Sequence, residues 1–543
     1  MVPSPKQDIW LVLGAGISCA APSNIPVWSE MKNATTAFIL DALIEVDSRQ
    51  WHTPPDSFQF ERTSSDLQRA ISMPEVVMES LCNVYLESTI KEQLASVIAP
   101  HSDAPQTNEC HTFVARLARL GGVKGIITPN YDSLLERAFD EERISYQVVL
   151  PSQASRGSTA LPIYKVHGTI TAPETLSFLR TTYMRGLPHS LVVHLLNAMR
   201  NSLIIVCGYS GNDFDLFPLI RKAITDPTAN NQTIVVDPSD LSQNSPYAAL
   251  AAKVTFVKEQ GAAFFGRMLN KAQPAVTSSS TRRSAVLVPH KEPFECALFV
   301  GDALVSMKEY GRAYNYFYLA DDIASDVDNR CGRGLATIGR GLCLLGLRQN
   351  QRGVKEIERG RAMLEPIDLE ETKSWLGFPS EGRRITAWLM RAHNLVALTA
   401  LAVCTASSER SKKEQLVRIA SIHSSSIYMG DAGWDAQTVD AIKASASAVK
   451  EVVEAYEAFL KSDPSCETLF ARCMDFCQST GCVWELLFCI HLLMRTYPQR
   501  RSEYETKLWE VADTVSSDLH GDIRTLFERP GEEFEFRHME WRW

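Results

Sequence analysis

The stretch that decides the fold runs from Ile9 to Trp28 and reads IWLVLGAGISCAAPSNIPVW. Its apolar start, Ile9–Leu13, is typical of a strand buried on both faces of a parallel sheet. The run breaks at Gly14-Ala15-Gly16, where two glycines around one small residue let the backbone turn tightly and approach a bulky anion. This pattern predicts either a loop whose N–H groups hold a pyrophosphate or a tight turn after the strand.

The loop lacks two features of the dinucleotide-binding fingerprint of dehydrogenases. Cys19 stands where the third glycine of G-x-G-x-x-G would be. No second strand ending in Asp or Glu follows about 20 residues later. The sequence therefore argues against a dehydrogenase.

Composition narrows the class of protein. The chain has 543 residues, 45% hydrophobic and 22% charged, which is typical of a globular protein with several domains. A net charge of −9 argues against general binding to nucleic acid or membrane surfaces. No apolar run is long enough to span a membrane, and the N-terminus does not resemble a signal peptide. Thirteen cysteines, an odd number, indicate a reduced cytoplasmic protein.

The first half of the chain, residues 1–272, has an α/β pattern. Short apolar runs alternate with helical stretches, which predicts a Rossmann-like parallel sheet with helices on both sides. A helical insertion over one edge of the sheet is expected at about residues 30–120, and a Pro/Ser/Thr-rich linker at 273–293. The predicted strands are Ile9–Leu13, Val123–Thr128, Tyr146–Leu150, Ile163–Val166, Leu203–Cys207, Thr233–Val236 and Val254–Val257.

The second half, residues 294–543, shows helical periodicity and predicts an all-α, repeat-like domain. A helix pair is expected at Cys296–Ser325. Its small residues Gly301 and Ala313 and its aromatic Phe317 are spaced as in a tetratricopeptide-like repeat. Later helices keep no period of about 34 residues, so an irregular helical bundle is the alternative.

Polar residues follow the ends of several predicted strands. Because the carboxyl ends of parallel strands open onto one crevice, these residues predict a ligand site there, although each alone is also typical of a helix cap or turn. Besides the Gly14–Ser18 loop, they are Thr128, Asn130, Asp132, His167, Gly208, Ser210, Asp213, Asp215 and Asp237.

The motifs GAGIS…IP, TPNYD, VHG, GYSxxDxD and VDP, in this order, resemble those of sirtuin-like NAD-binding domains over roughly residues 5–270. The bacterial branch found in anti-phage defence proteins is nearer than the histone-deacetylating branch. Pro26 and Trp28 match the Ile-Pro-x-aromatic segment of sirtuins. Asn130 matches their Gln-Asn-x-Asp stretch, in which Pro129 replaces Gln, and His167 matches their catalytic His-Gly.

Two departures put protein deacetylation in doubt. Deacetylating sirtuins carry a structural zinc on two CxxC pairs after the catalytic histidine, whereas no CxxC lies between His167 and Gly208. We therefore expect no zinc of that type. Acidic residues at Asp213 and Asp215 suit a sugar or a water better than an apolar acyl-lysine.

The resemblance implies chemistry at the nicotinamide–ribose bond of NAD. Asn130 would orient the ribose hydroxyls or the attacking water, and His167 would be the base. Asp132 would order its loop or lie near the nicotinamide amide. The N–H groups of Ala15 and Gly16 would hold the pyrophosphate. The residues expected to contact NAD are Gly14, Ala15, Gly16, Ser18, Pro26, Trp28, Thr128, Gly208, Ser210 (phosphate), Asp213, Asp215 and Asp237 (adenosine ribose).

The expected function is an NAD+ hydrolase that forms ADP-ribose and nicotinamide and acts in anti-phage defence by depleting NAD. The helical C-terminal domain would gate it, through homo-oligomerisation or through a phage or host protein. One alternative is a sensor that binds NAD or ADP-ribose without turnover. Another is a protein deacylase or ADP-ribosyltransferase.

Two C-terminal features leave alternatives open. The cysteines at 466, 473, 477, 482 and 489, with His491, predict core packing rather than a metal site. The acidic and aromatic tail at 532–543 is either a docking segment or a last strand or helix that closes the domain.

Overall fold

The computed structural model describes most of the chain. The described residues are 8–44, 60–69, 74–85, 87–99, 106–151, 160–178, 187–211, 213, 215–239, 245–270, 285–288, 292–307, 309–347, 349–364, 397, 410, 413, 414, 417, 418, 420, 421, 436–480 and 483–512. Cys482 and the tail at 532–543 lie outside them.

Within these ranges, seven parallel strands form one sheet in the order β3-β4-β2-β1-β5-β6-β7. The predicted α/β architecture is confirmed, and β1 is buried along its whole length. The strands are β1 (Ile9–Leu13), β2 (Val123–Thr128), β3 (Tyr146–Val149), β4 (Leu161–Lys165), β5 (Leu203–Cys207), β6 (Gln232–Val236) and β7 (Thr255–Val257).

The central position of β1 decides where a ligand can bind. The chain leaves β1 to build β2, β4 and β3 on one side, and then crosses to build β5, β6 and β7 on the other. Leu11 pairs with Ile126 of β2 and with Ile205 of β5. Such a reversal of strand order opens a crevice at the carboxyl ends of the strands.

Helices cover both faces of the sheet, which explains why β1 is apolar at every position. Leu11 and Leu13 share a core with α5 (Glu109–Arg119), α6 (Leu134–Glu141) and α9 (Gly261–Met268). Trp10 and Val12 share the opposite core with α7 (His189–Ala198) and α8 (Leu216–Thr225).

The helical insertion lies between β1 and β2 in the chain. Its helices are α1 (Trp28–Ile44), α2 (Phe60–Arg69), α3 (Pro74–Val84) and α4 (Glu87–Ile98). Their buried residues form one hydrophobic core with the C-terminal helices, separate from the two cores of the sheet. The insertion therefore packs mainly on the C-terminal region.

The C-terminal region is helical, in agreement with the all-α prediction. A Cβ atom on Gly301 would lie 2.9 Å from the ring of Phe317, so the small residue allows the first two helices to approach closely. Its helices are α10 (Pro293–Ser306), α11 (Tyr310–Asp326), α12 (Arg330–Gly346), α13 (Asn350–Leu364), α14 (Ala436–Leu460), α15 (Cys466–Thr480), α16 (Val483–Thr496) and α17 (Arg501–Ala512).

Two further sequence features concern the same region. Cys473, Cys477 and Cys489 are fully buried in the helical core, with the Sγ atoms of Cys473 and Cys477 4.0 Å apart. Ala285–Val288, in the stretch predicted as a linker, packs against α1, where the N–H of Leu287 donates to Thr35. None of the helices in the described ranges is long and apolar enough to cross a membrane.

Candidate active site

The Gly14–Ser18 loop packs directly on the loop after β5. The N–H of Gly14 donates to the carbonyl of Cys207 at 3.0 Å, and that of Gly16 to the carbonyl of Gly208 at 2.9 Å. A Cβ atom on Gly14 would lie 2.4 Å from the oxygen of Gly208. The glycines are needed because two backbones touch here. The Gly16 N–H, which we expected to hold pyrophosphate, already has an acceptor in the protein.

Ser18 is an internal link of this loop. It is 1% exposed, and its hydroxyl donates to Oδ2 of Asp132 at 3.1 Å. Nε2 of His111 lies 3.1 Å from the same hydroxyl. We expected Ser18 to contact NAD; in the structure its side chain is buried and its hydroxyl binds Asp132.

The tautomer of His111 follows from its other partner. The backbone N–H of Asn108 donates to Nδ1 of His111 at 3.2 Å, so Nδ1 is unprotonated and Nε2 carries the hydrogen. Burial lowers the pKa of His111, and the nearby carboxylate of Asp132 opposes this only in part. His111 is therefore a neutral, structural donor. His111 was not predicted from the sequence, although Asn108 and His111 form a capping box at the start of α5.

The side-chain amide of Asn130 uses its nitrogen in a hydrogen bond, whereas its oxygen has no donor among the described residues. Its Nδ2 donates to the carbonyl of Gly14 at 3.1 Å, and its backbone N–H donates to Oγ1 of Thr128 at 3.1 Å. Thr128 in turn donates to the carbonyl of Leu13 at 2.7 Å. Asn130 is 8% exposed, and its Oδ1 has no hydrogen-bond donor among the residues that the structure describes. A buried amide oxygen without a donor is costly and is typical of a position that binds a ligand.

Asp132 has protein donors on both carboxylate oxygens. Oδ1 accepts from the N–H of Leu134 at the start of α6, and Oδ2 accepts from Ser18. Of the two roles that we considered, these bonds favour the ordering of the loop. Lys165, fully buried and not foreseen, supports the same loop by donating to the carbonyl of Asp132 and to Glu136. The signal that could have found it is a charged residue inside an apolar strand.

His167 meets the acidic residues that follow β5. It is 4% exposed, and its Nε2 lies 2.9 Å from Oδ1 of Asp215. Asp215 also accepts from the N–H of Leu216 and caps α8. This contact joins loops from β4 and β5, which are three places apart in the sheet order.

Asp213 has a different environment beside this pair. Its Oδ1 accepts from the N–H groups of Leu216 and Phe217, and its Oδ2 accepts from the hydroxyl of Tyr209 at 2.7 Å. Burial, followed by the charge of Asp215, raises the pKa of Asp213 to about 6. Burial also raises the pKa of Tyr209 well above its usual range, so this phenol stays a donor.

One chemical alternative for this cluster is a metal ion. Among the described residues, the ligand atoms of His167, Asp213 and Asp215 lie within 4.8 Å of one another. Both oxygens of Asp213 already accept hydrogen bonds, and Oδ1 of Asp215 accepts two. This donor set fits a proton network better than a metal site.

The remaining predicted contacts lie around the crevice. Trp28 packs edge-on against the ring of Tyr131, the neighbour of Asn130, at 5.9 Å between ring centroids. Pro26 is buried, whereas Ser210 is exposed. Asp237 follows β6, two places from β1, and accepts from the N–H of Ser239. The structure thus brings Asn130 together with the glycine loop, and His167 together with the acidic residues.

Comparison with known proteins finds a family match in this part of the chain. Residues 124–257 match the family described as SIR2-like domain. The match includes Asn130, His167 and Asp215 and ends before the C-terminal helices, while the Gly14–Ser18 loop lies outside it. A search of curated proteins finds no match. The family match and the parallel sheet together support a sirtuin-like domain in the N-terminal half, which fits an NAD-related function and NAD-dependent enzyme activity.

Proposed function

We propose that this chain is an NAD+ hydrolase that converts NAD+ to nicotinamide and ADP-ribose. The observation that carries the proposal is the buried Oδ1 of Asn130, which lacks a donor among the described residues, beside the Gly14 loop. A hydroxyl or water bound there would supply that donor. The reaction needs such a group, because water must be aligned with the ribose carbon that loses nicotinamide.

The residues present supply the rest of a hydrolytic mechanism. The water oxygen forms a bond to C1′ of the ribose while the C1′–N bond breaks. The electron pair of the C1′–N bond leaves with nicotinamide. Asn130 accepts a hydrogen bond from the water or from a ribose hydroxyl and so fixes its direction. His167 takes the proton that the water loses. No step requires a covalent intermediate on the protein.

Hydrolysis is preferred over deacylation because the loop after β5 is polar. Asp213 and Asp215 there lie against His167 within hydrogen-bonding networks. An apolar acyl chain would have to displace or bury these carboxylates, which is costly. Water and sugar hydroxyls can instead donate to them.

We further propose that the C-terminal helices gate the site through the insertion. At one end of α1, Trp28 packs on Tyr131 of the site, and farther along, Thr35 accepts from the N–H of Leu287. Asp302 of α10 also accepts from Asn83 of α3 at 2.9 Å. A change in the C-terminal region would therefore reach the residues next to Asn130 through contacts that already exist.

The biological role rests on the resemblance described above. A hydrolase that is always active would deplete NAD in its own cell, so latency until infection is the expected behaviour. We propose a cytoplasmic homo-oligomer with tetratricopeptide-like repeats that is activated by a phage or host protein and acts in anti-phage defence by abortive infection.

The test measures nicotinamide and ADP-ribose by chromatography, in purified protein with candidate activators and in cells with and without phage challenge. We expect Asn130→Ala and His167→Ala each to lower turnover by about 100-fold or more. Asn230→Ala, at an exposed position on the α8–β6 connection, is the matched control and should keep full turnover.

Three results would contradict the proposal. Wild-type protein that releases no nicotinamide with any activator is not a hydrolase, and calorimetric binding of NAD without products would favour the sensor. NAD-dependent turnover of an acylated peptide would favour the deacylase. Full turnover in both variants would place the chemistry elsewhere.

A further inference from the structure

We propose that Asp215 is the positioning residue for His167 and fixes Nδ1 as the nitrogen that acts as base. The inference rests on the proposed hydrolysis. It goes beyond it by naming the residue that orients the base and the ring nitrogen that takes the proton.

The hydrogen-bond inventory decides the tautomer. A carboxylate oxygen can only accept, and Oδ1 of Asp215 accepts from the N–H of Leu216 at 2.8 Å as well as facing Nε2 of His167 at 2.9 Å. Nε2 must therefore carry the hydrogen. In the neutral ring, Nδ1 then has the lone pair, so it is the atom that can receive a proton from water.

The surroundings hold the side chain of Asp215 in place. It is the N-cap of α8, where the backbone N–H groups and the helix dipole stabilise a negative charge. Both side chains of the pair are nearly buried, at 5% and 6% exposure. Little solvent separates the carboxylate from the ring, so a fixed orientation costs little further entropy when the substrate binds.

Asp215 faces the positive charge that the His167 ring gains during the reaction. When Nδ1 takes the proton from the attacking water, the ring becomes an imidazolium ion that faces the carboxylate of Asp215 through Nε2–H. Asp213 is the second acidic group against this ring, and its influence on the histidine is weaker below about pH 6, where it is mostly protonated. Lys165, on the strand that leads to His167, is paired with Glu136 instead.

The first measurement is made on the wild-type protein and uses a variant only to assign the signal. Nitrogen-15 NMR of the full chain labelled at histidine, with His167→Gln to assign the signal, should show His167 protonated on Nε2 and unprotonated on Nδ1 at pH 8. Protonation on Nδ1 at that pH would overturn the proposal.

The second measurement uses Asp215→Asn, which keeps the shape and an acceptor oxygen but removes the charge. We expect the pKa of His167 to fall by about 1 unit or more, and the acid limb of the kcat profile to move to lower pH. We expect kcat to fall by about 10-fold or more with little change in KM. Asp215→Glu should restore part of the histidine pKa, whereas Asp226→Asn, at the far end of α8, should change neither quantity.

The outcomes separate this proposal from the proposed function. A His167 pKa that is the same in wild type and Asp215→Asn overturns the positioning role, even if NAD is hydrolysed. If the pKa of His167 is lower in Asp215→Asn but the wild-type protein never hydrolyses NAD, the positioning role is supported and the proposed hydrolase activity is contradicted.

Discussion

Two buried histidines lie near the same crevice but have opposite partners. His111 accepts a hydrogen bond from a backbone N–H on Nδ1, and its pKa is lowered by burial. His167 faces a carboxylate through Nε2. The first ring is held neutral because protonation of Nδ1 would set two donors against each other. The second has an anion that stabilises its protonated form. The partner atom, not the burial, separates a structural histidine from one that can act as a base.

The largest expected effect is a separation of activity from stability between these two residues. His167→Ala should lower NAD hydrolysis by about 100-fold or more. His111→Gln should instead lower the free energy of unfolding by about 1–3 kcal/mol, because it disturbs a buried hydrogen-bond network. Nicotinamide release and urea denaturation, measured on both variants, check this. Equal activity losses in two stably folded variants would contradict the comparison.

Ser18→Ala tests whether the hydroxyl of Ser18 stabilises the fold or binds the substrate. The hydroxyl links His111 to Asp132, so we expect its removal to lower the free energy of unfolding by about 1–2 kcal/mol. The KM for NAD should change little. Ser210→Ala, at an exposed position of the crevice, is the matched control for a phosphate contact. A higher KM with unchanged stability in Ser18→Ala would show that Ser18 binds the substrate after all.

The smallest effect concerns the dependence of stability on pH, where His111 and Asp213 act in opposite directions. The pKa of His111 is lower in the folded state, so the unfolded chain binds more protons below about pH 6.5 and stability falls as the pH drops. The pKa of Asp213 is raised to about 6, so the folded state binds more protons and stability falls as the pH rises from about 4 to 6.

Urea denaturation at several pH values between 4 and 7 separates the two contributions. Compared with wild type, His111→Gln should lose stability more steeply with rising pH between 4 and 6, because only the contribution of Asp213 remains. Asp213→Asn should show the opposite change. Parallel curves for wild type and both variants would show that neither group is linked to folding.

Much of the fold could be predicted because its signals are local. Short runs rich in Val and Ile mark the strands, and all seven predicted strands are present with ends shifted by at most two residues. Gly14 and Gly16 were expected to serve a ligand, yet their main constraint is contact with Gly208, which lies in the loop after β5, far along the chain. A local pattern cannot distinguish a glycine that makes room for a ligand from one that makes room for another backbone segment, since both require the absence of a side chain.

The sequence predicted which residues gather at the candidate site, but not the partner that each of them binds. Asn130 and His167 were expected in the crevice for their chemistry, whereas His111 and Lys165 were not expected at all. Asp132 and Asp215 each accept a hydrogen bond from the first backbone N–H of a helix and also bind a second partner. A sequence pattern predicts the cap, because it is local, and cannot predict the second partner.

The sequence by itself determined the parallel sheet, the glycine loop after its first strand and the edge at which polar residues gather, because hydrophobic periodicity and turn residues act over a few positions. Only the tertiary structure decided which polar atoms already have partners. The bonds from Ser18 to His111 and Asp132 span 93 and 114 residues, and that between His167 and Asp215 spans 48. Such contacts depend on how the loops of separate strands meet. They leave Oδ1 of Asn130 without a donor among the described residues, beside the Gly14–Ser18 loop.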